Sequence, residues 1–265
     1  MGNNGKCKSK KNQRLGEIKQ DKQNCPIKII EYNGAVDIIV EFQDEFKGRV
    51  HTTYKNFTNL EIKNPYYPSV FGIGITGSKY PTKINRKHLI EYVAWHNIIS
   101  RSYNQKEKKR SPTYKDVTCC KEWLLYENFY EWLHKQENFD KWMNGNGWAV
   151  DKDILVKGNK IYSPETCCLV PQNVNLLFVK RKNNRGNFPI GIIKNGNGYR
   201  VHCSNPFTYK YENLGTYRTI TEAFLVYKKY KEDIIRQVAQ IEFDKGNITK
   251  QCYEAMMRYK VEITD

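Results

Sequence analysis

The sequence lacks several features that would assign it to a protein class at once. No apolar run approaches the roughly 18 residues that a membrane-spanning helix needs, and the polar, Lys-rich N-terminus lacks the apolar segment of a signal peptide. The eight cysteines include no CxxC pair, which argues against a zinc finger or zinc ribbon. We therefore expect a cytoplasmic protein without a membrane partner, whose cysteines are reduced and mostly buried.

Acidic residues are also scarce. Asp and Glu number 28 against 44 Lys and Arg, which gives a formal net charge of +16. Such an excess attracts polyanions and speeds their association. No basic amphipathic helix is evident that would lie on an anionic membrane. Nucleic acid is therefore the predicted partner, with simple solubility as the alternative explanation of the charge.

Composition and turn signals predict a multi-domain α+β protein of 265 residues. Residues 1–25, which are rich in Lys, Asn and Gln, predict a basic flexible arm. Residues 26–85 predict a small β-rich accessory domain, because short β-rich runs are separated by Asn-Gly and Lys-Gly turns. Residues 86–180 and 181–265 are predicted to form a central domain and a C-terminal domain.

The central domain is predicted to begin with two aromatic helices. The first carries large side chains at helical spacing, namely Tyr92, Trp95, Ile99 and Tyr103. Arg101 lies beside them on a polar stripe and is a candidate DNA contact. The basic run at residues 106–110 ends at a Ser-Pro pair and predicts a loop, and the second helix is predicted over residues 121–135. We interpret the aromatic stripes as core.

Three strand-like runs and then a long helix are predicted over residues 188–241. Within them, the segment Leu214-Gly215-Thr216-Tyr217 precedes Thr221-Glu222-Ala223 at the start of the helix. This combination resembles the pattern of AP2 DNA-binding domains. The resemblance implies a three-stranded sheet backed by one helix, with one face free to enter the major groove of double-stranded DNA.

Strand alternation would turn every second side chain of this sheet toward DNA. The resemblance assigns DNA contacts to six basic and aromatic residues: Lys194, Tyr199, Arg200, Lys210, Tyr217 and Arg218. A one-residue slip exchanges the two faces of a strand. The alternative that Tyr199 and Tyr217 pack against the helix therefore stays open.

A dense motif occupies residues 148–178. It contains Asp151-Lys152-Asp153, Asn159, Tyr162-Ser163-Pro164, Cys167-Cys168 and Asn175. This pattern is similar to the ββα-metal hairpin of HNH endonucleases, in the divergent form found in phage and mobile-element proteins. The aromatic motifs of residues 92–103 and 123–132 also match that form, and AP2 modules often follow HNH units in homing-type endonucleases. The resemblance implies a DNA endonuclease in a bacterial or phage-infected cytosol.

Phosphodiester cleavage needs a metal ion that neutralises the charge developing on the phosphate and on the leaving oxygen. Mg²⁺, or another divalent cation, prefers carboxylate, amide and water oxygens. The resemblance makes Asp151, Asp153 and Asn175 the predicted metal ligands. Lys152 and Tyr162 complete the predicted catalytic set.

The motif departs from the family where a general base is needed. HNH enzymes use a His at the end of the first strand, but Lys152 stands there and none of the five His lies within the motif. Lysine is a poor base unless its pKa is strongly lowered. Either another residue activates water, with Tyr162, Lys152 and Asp153 as candidates, or the unit is a degenerate nuclease that only binds DNA.

A basic connector follows the motif. Its cations, Lys180, Arg181, Lys182 and Arg185, are predicted to contact phosphates. They would place the hairpin and the AP2-like sheet on one stretch of DNA. Binding of RNA through the same basic surfaces is a further alternative.

Overall fold

The computed structural model describes residues 13–145, 147–180 and 187–265 and has a mixed α+β architecture, which confirms the predicted class. The described residues form two compact units, the first made of residues 13–115 and 119–131 and the second of the remainder. The segment 86–180 contributes to both units. None of the helices in the described ranges is long and apolar enough to cross a membrane.

The first unit begins with a four-stranded antiparallel sheet in the order β1-β2-β3-β4, formed by Ile18–Gln20, Pro26–Gly34, Asp37–Phe42 and Arg49–Thr52. Buried and partly exposed side chains alternate along β3, so one face of the sheet is buried. Phe57 of helix α1 (Tyr54–Thr58) belongs to the same core. Strands β2, β3 and β4 lie at β-rich runs predicted within residues 26–85. Strand β1 lies in the segment that was predicted as a flexible arm. Residues 18–20 of that segment are ordered because their backbone pairs with β2.

A short hairpin, β5 (Lys83–Ile84) and β6 (Lys87–His88), leads into helix α2 (Ile90–Tyr103). Farther along the chain lie two 3₁₀ turns, Pro112–Tyr114 and Glu122–Leu124, and between them strand β7 (Thr118–Cys119). Helix α4 (Tyr126–His134) begins after Leu125, which is extended. The single helix predicted over residues 121–135 is therefore a 3₁₀ turn followed by a shorter α-helix.

The predicted loop at residues 106–110 is wrong, because this run forms helix α3 (Gln105–Arg110). Lys, Arg and Glu are good helix formers. The Asn104 side chain caps the first turn by accepting the Lys106 N–H at 3.0 Å. Glu107 and Arg110 add an ion pair between successive turns.

The two aromatic stripes form one core in the first unit, as predicted. Trp95, Trp123, Tyr126 and Phe129 are almost completely buried. The Trp95 indole N–H donates to the Trp123 carbonyl at 2.7 Å, and the Trp95 and Tyr126 rings lie 5.5 Å apart. The motif positions that resemble HNH proteins at Trp95 and Tyr126 therefore stabilise this unit.

The second unit contains a strand pair followed by a helix. Strand β8 (Trp148–Asp151) pairs antiparallel with β10 (Cys168–Pro171), and helix α6 (Gln172–Leu177) follows β10 directly. The long connection between the two strands includes the short strand β9 (Ile161–Tyr162), and helix α5 (Phe139–Asn144) precedes β8. We call the segment from β8 to β10 the catalytic hairpin, after the role that its sequence motif predicts.

Three antiparallel strands, β11 (Ile192–Asn195), β12 (Gly198–Asn205) and β13 (Lys210–Tyr217), form the C-terminal sheet in sequence order. The structure thus contains the three predicted strands. Helices α7 (Ile220–Asp244) and α8 (Lys250–Arg258) follow.

Helix α7 is capped at its start by Thr219. The Thr219 hydroxyl accepts the Glu222 N–H, and the Glu222 carboxylate accepts the Thr219 N–H. The helix therefore begins after Thr219, one residue earlier than the Thr221 start that the sequence pattern indicated.

Helix α7 packs against two cores. Its N-terminal half buries Ala223, Phe224 and Tyr227 against the C-terminal sheet. Its C-terminal half buries Ile234 and Val238 in a second cluster, which includes residues of β10, α6 and α8. Because the helix is 25 residues long and continuous, it holds the catalytic hairpin and the sheet in one arrangement.

The chain after α8 returns to α7 and joins the two cores. Tyr230 and Tyr259 pack against both clusters. The Val261 N–H donates to the buried Glu232 carboxylate at 3.0 Å. Burial raises the pKa of Glu232, but this N–H and the Lys228 ammonium outweigh it and hold the pKa below its usual value. The contact between α7 and the chain after α8 therefore includes a buried carboxylate, Glu232, whose charge is stabilised by these partners.

Candidate functional site

The catalytic hairpin places Asp151 at the end of its first strand. One oxygen of the Asp151 carboxylate, Oδ1, accepts the backbone N–H groups of Asp153 at 2.8 Å and of Ile154 at 2.9 Å. Such a bond from a side chain to the backbone two residues ahead turns the chain out of the strand. The turn fixes the Asp151 carboxylate beside that of Asp153.

The ionisation of Asp151 is opposed by its surroundings. Burial raises the pKa of the Asp151 carboxyl to about 6, and the nearby Asp153 carboxylate adds to the shift, against the two backbone N–H bonds. A cation bound to both carboxylates would relieve this repulsion. The same pair is the part of the predicted metal site that the structure brings together.

Lys152 lies between the second carboxylate and an aromatic ring. Its ammonium is 3.1 Å from Asp153 Oδ2 and 5.7 Å from the centre of the Tyr162 ring. The Lys152 side chain is 10% exposed, whereas that of Asp153 is 39% exposed. Tyr162 is almost completely buried. Lys152 is therefore a buried partner of Asp153, and Asp153 is the more exposed member of the pair.

The connection between the two strands is braced from within. The Asn159 amide donates to the carbonyls of Lys152 at 2.6 Å and Ile161 at 2.7 Å. The Thr166 hydroxyl donates to the same Ile161 carbonyl at 2.8 Å. Asn159 thus holds the backbone of residues 151–154, which we call the aspartate turn.

Asn175, the third predicted metal ligand, lies partly buried on α6. Among the described residues, its side chain forms no hydrogen bond with Asp151 or Asp153, and no cluster of three His, Cys, Asp or Glu residues that could hold a metal is present. Asp151 and Asp153 thus supply two carboxylates, and Asn175 stays a predicted third ligand. This set fits Mg²⁺, which binds through one or two carboxylates and keeps several waters for exchange with phosphate oxygens.

Cys167 and Cys168 of the hairpin are both buried. They are two of the six buried cysteines among the seven in the described ranges. Burial raises the pKa of the Cys167 thiol to about 12. The sulfur of Cys168 lies 4.0 Å from that of Cys252 in the core shared with α8. Both motif cysteines are core thiols, and their burial matches the prediction.

The register of the C-terminal sheet separates its two faces. Lys194, Tyr199 and Tyr217 are aligned across the three strands. Tyr199 and Tyr217 pack against the core under α7, and the Lys194 ammonium lies 4.3 Å from the Tyr199 ring centre. The open alternative is thus resolved: both tyrosines belong to the helix side of the sheet, and Lys194 lies beside them.

The opposite face carries Arg200, His202 and Tyr211, and we call it the open face. Arg200 is exposed and aligned with Ile193 and Thr216, and its guanidinium donates to the Asn195 side chain at 3.1 Å. The rings of His202 and Tyr211 lie 5.8 Å apart, and Tyr211 is 70% exposed. Arginine and aromatic side chains on the exposed face of a β-sheet suit contact with base edges and sugars.

Sequence reasoning missed His202 and Tyr211. Alternation counted outward from the apolar Val201 and Cys203 would have found His202. Tyr211 could not be placed by counting, because a bulge between Val201 and His202 shifts the pairing with β13.

The remaining predicted DNA contacts are dispersed. Lys210 and Arg218 are exposed at the two ends of β13. Lys180 is ion-paired with Asp265 at 2.8 Å. Arg101 belongs to the first unit, where its guanidinium lies 5.4 Å from the Tyr114 ring centre. Arg181, Lys182 and Arg185 lie outside the described residues.

No family model, curated protein or solved structure matches the chain. The likeness to HNH and AP2 proteins therefore rests on the sequence motifs and remains a prediction.

Proposed function

We propose that this protein is a metal-dependent endonuclease of double-stranded DNA, with a catalytic hairpin of the divergent HNH type and an AP2-like sheet that contacts the DNA target. One observation carries the proposal. The Asp151–Asp153 pair and the open face lie on elements packed against the same helix, α7.

DNA binding is supported by the charge of the chain and by the chemistry of the open face. A net charge of +16 favours association with phosphates. Arg200 carries a planar, bidentate donor, and Tyr211 offers an exposed ring. Because α7 is shared, DNA bound to this face would lie at a fixed distance from the hairpin.

Cleavage is supported by the carboxylate pair. A divalent cation held by Asp151 and Asp153, when bound, would neutralise charge on the scissile phosphate. Asp153, the more exposed of the two, would accept a proton from the water that attacks phosphorus, while the P–O bond to the leaving oxygen breaks and that oxygen takes a proton from solvent. Lys152 holds the Asp153 carboxylate in place, and the buried Tyr162 supports Lys152. The hairpin thus supplies a base without a histidine.

The test is nicking of supercoiled plasmid by the full chain in Mg²⁺ or Mn²⁺, with Asp153→Asn as the variant. Asp140→Asn, at an exposed aspartate of the same unit, is the matched control. We expect nicking by wild type and D140N, a loss of at least 100-fold in D153N, and none in EDTA. Nicking by D153N at the wild-type rate would remove the hairpin from the mechanism.

The second candidate is a catalytically degenerate HNH-AP2 protein that regulates or inhibits another nucleic-acid machine. The absence of a histidine from the catalytic hairpin and the burial of Lys152 favour it. Tight, salt-dependent binding of duplex DNA without nicking in either metal would select this candidate. Preferential binding of duplex RNA in a direct competition would exclude both.

A further inference from the structure

The basic hairpin, residues 83–88, is a second surface whose chemistry suits DNA. It consists of β5, β6 and the turn Asn85-Arg86. All six residues are exposed, and Lys83, Arg86 and Lys87 are cations. Among the residues that the structure describes, none of these three forms an ion pair. The nearby Lys79, in contrast, is paired with Glu131. The basic hairpin therefore presents three uncompensated positive charges.

The turn of the basic hairpin contains an arginine where the backbone favours glycine. Asn85 and Arg86 have φ angles of +49° and +66°, which is the arrangement of a tight type I′ hairpin. Asn tolerates the first position, but the second is normally Gly, because a side chain in the left-handed region is strained. Arg86 is thus held in an unfavourable conformation at the exposed tip, a feature that is often found at binding sites.

The base of the basic hairpin is fixed to α2. The Leu89 N–H donates to the Thr82 carbonyl at 3.1 Å, which closes the two strands. The His88 ring stacks on Tyr92, in the first turn of α2, with centres 4.8 Å apart and planes 14° apart. A rigid base means that little conformational entropy is lost when the tip binds a partner.

We propose that the basic hairpin, in the first unit, is a second DNA-binding surface of this protein. It would contact the phosphate backbone of duplex DNA independently of base sequence. This inference rests on the proposed function, because it needs a DNA-binding protein. Duplex DNA is the favoured partner because a two-stranded ribbon fits its grooves. A membrane surface is a poorer partner, because the hairpin carries three cations but only one exposed aliphatic side chain, Ile84, that could insert into lipid.

The test compares a variant of the basic hairpin with a control of equal charge. K83Q/R86Q/K87Q removes its three cations. K22Q/K55Q/K63Q removes three exposed lysines of the same unit that form no ion pair with any described residue. Binding of the full chain to two unrelated DNA duplexes, to a duplex RNA and to anionic vesicles is measured over a range of salt. Each lost phosphate contact lowers the slope of log K against log salt by about 0.9.

We expect the slope of the basic-hairpin variant to fall by about 2 to 3, with the same affinity loss, tenfold or more, on both DNA duplexes. The control should keep a slope within about 1 of wild type. Arg86→Gly should lose about 0.9 of slope while its melting temperature stays the same or rises.

Equal slopes for the basic-hairpin variant and the control would overturn the inference while leaving the proposed function intact. A loss confined to duplex RNA or to anionic vesicles would also overturn it. Failure of the wild-type chain to bind duplex DNA would instead refute the proposed function, and this inference with it.

Discussion

Asp151 combines two properties that oppose each other, a place in the proposed metal site and a cost in stability. Its pKa in the folded chain, about 6, lies above the 3.8 expected for a free aspartate. A raised pKa of this kind means that the folded state holds the proton more tightly than the unfolded state. The stability that this provides is complete below pH 3.8 and is lost as the pH rises through 6. At neutral pH the ionised Asp151 therefore destabilises the second unit.

Asp151→Asn should reveal that cost. Asparagine keeps the Oδ1 acceptor for the two backbone N–H groups and removes the buried charge. We expect a free energy of unfolding higher than that of wild type by about 2 kcal/mol at pH 7.5, and little difference at pH 3.5. Chemical denaturation of both proteins at the two pH values measures it. A difference that does not depend on pH would mean that ionisation of Asp151 is not the cause.

At the scale of elements, the C-terminal sheet divides its side chains between α7 and solvent. Arg200 is on the open face, whereas Lys194 lies beside Tyr199 on the helix side. Predicting this division needed the strand register. The sequence indicated the three strands and the AP2-like order, but alternation alone left the phase open, and the bulge at Val201 changes it along β13.

Other misjudged elements have local causes. The run at 106–110 is helical because of a side-chain cap and an ion pair. A run of charges without apolar periodicity does not reveal the cap or the ion pair in the sequence. The aspartate turn of the catalytic hairpin was predictable, because its residues adjoin in sequence. The position of Asn175 relative to the two aspartates was not predictable, since it depends on how α6 packs.

Substitutions on the two faces of the C-terminal sheet should have different effects on DNA binding. Arg200→Ala should weaken binding to a selected target sequence by about 10- to 100-fold and relax preference at one or two positions. Lys194→Ala, as the matched control, should change affinity equally on all sequences or not at all. Selection of bound duplexes from a random pool, repeated with each variant, measures both. An unchanged preference in R200A would demote Arg200 to a phosphate contact.

For the second unit as a whole, the decisive feature is one helix with two cores. A predicted boundary at residue 181 treats the hairpin and the sheet as separate domains, but Ile234 and Val238, beyond that boundary, complete the core of the hairpin. Sequence periodicity showed α7 to be amphipathic over its whole length. It could not show that the two halves of one stripe face different partners.

A shared helix predicts that the second unit unfolds as one. Amide hydrogen exchange of Val170 in β10 and Val201 in β12, both completely buried, should give the same free energy of opening within about 0.5 kcal/mol, because contiguous cores open together. Their response to added denaturant should also coincide. Opening of β12 at a free energy well below that of β10 would mean that the sheet is an independent domain.

The central claim, that this chain cuts duplex DNA at the Asp151–Asp153 pair, is tested most directly by plasmid nicking measured alongside DNA binding. Wild type, D153N and D140N are compared at protein concentrations that saturate the plasmid, in Mg²⁺, in Mn²⁺ and in EDTA. The account predicts equal binding by all three proteins, with metal-dependent nicking by wild type and D140N alone. Saturated binding by wild type without nicking in either metal would contradict it.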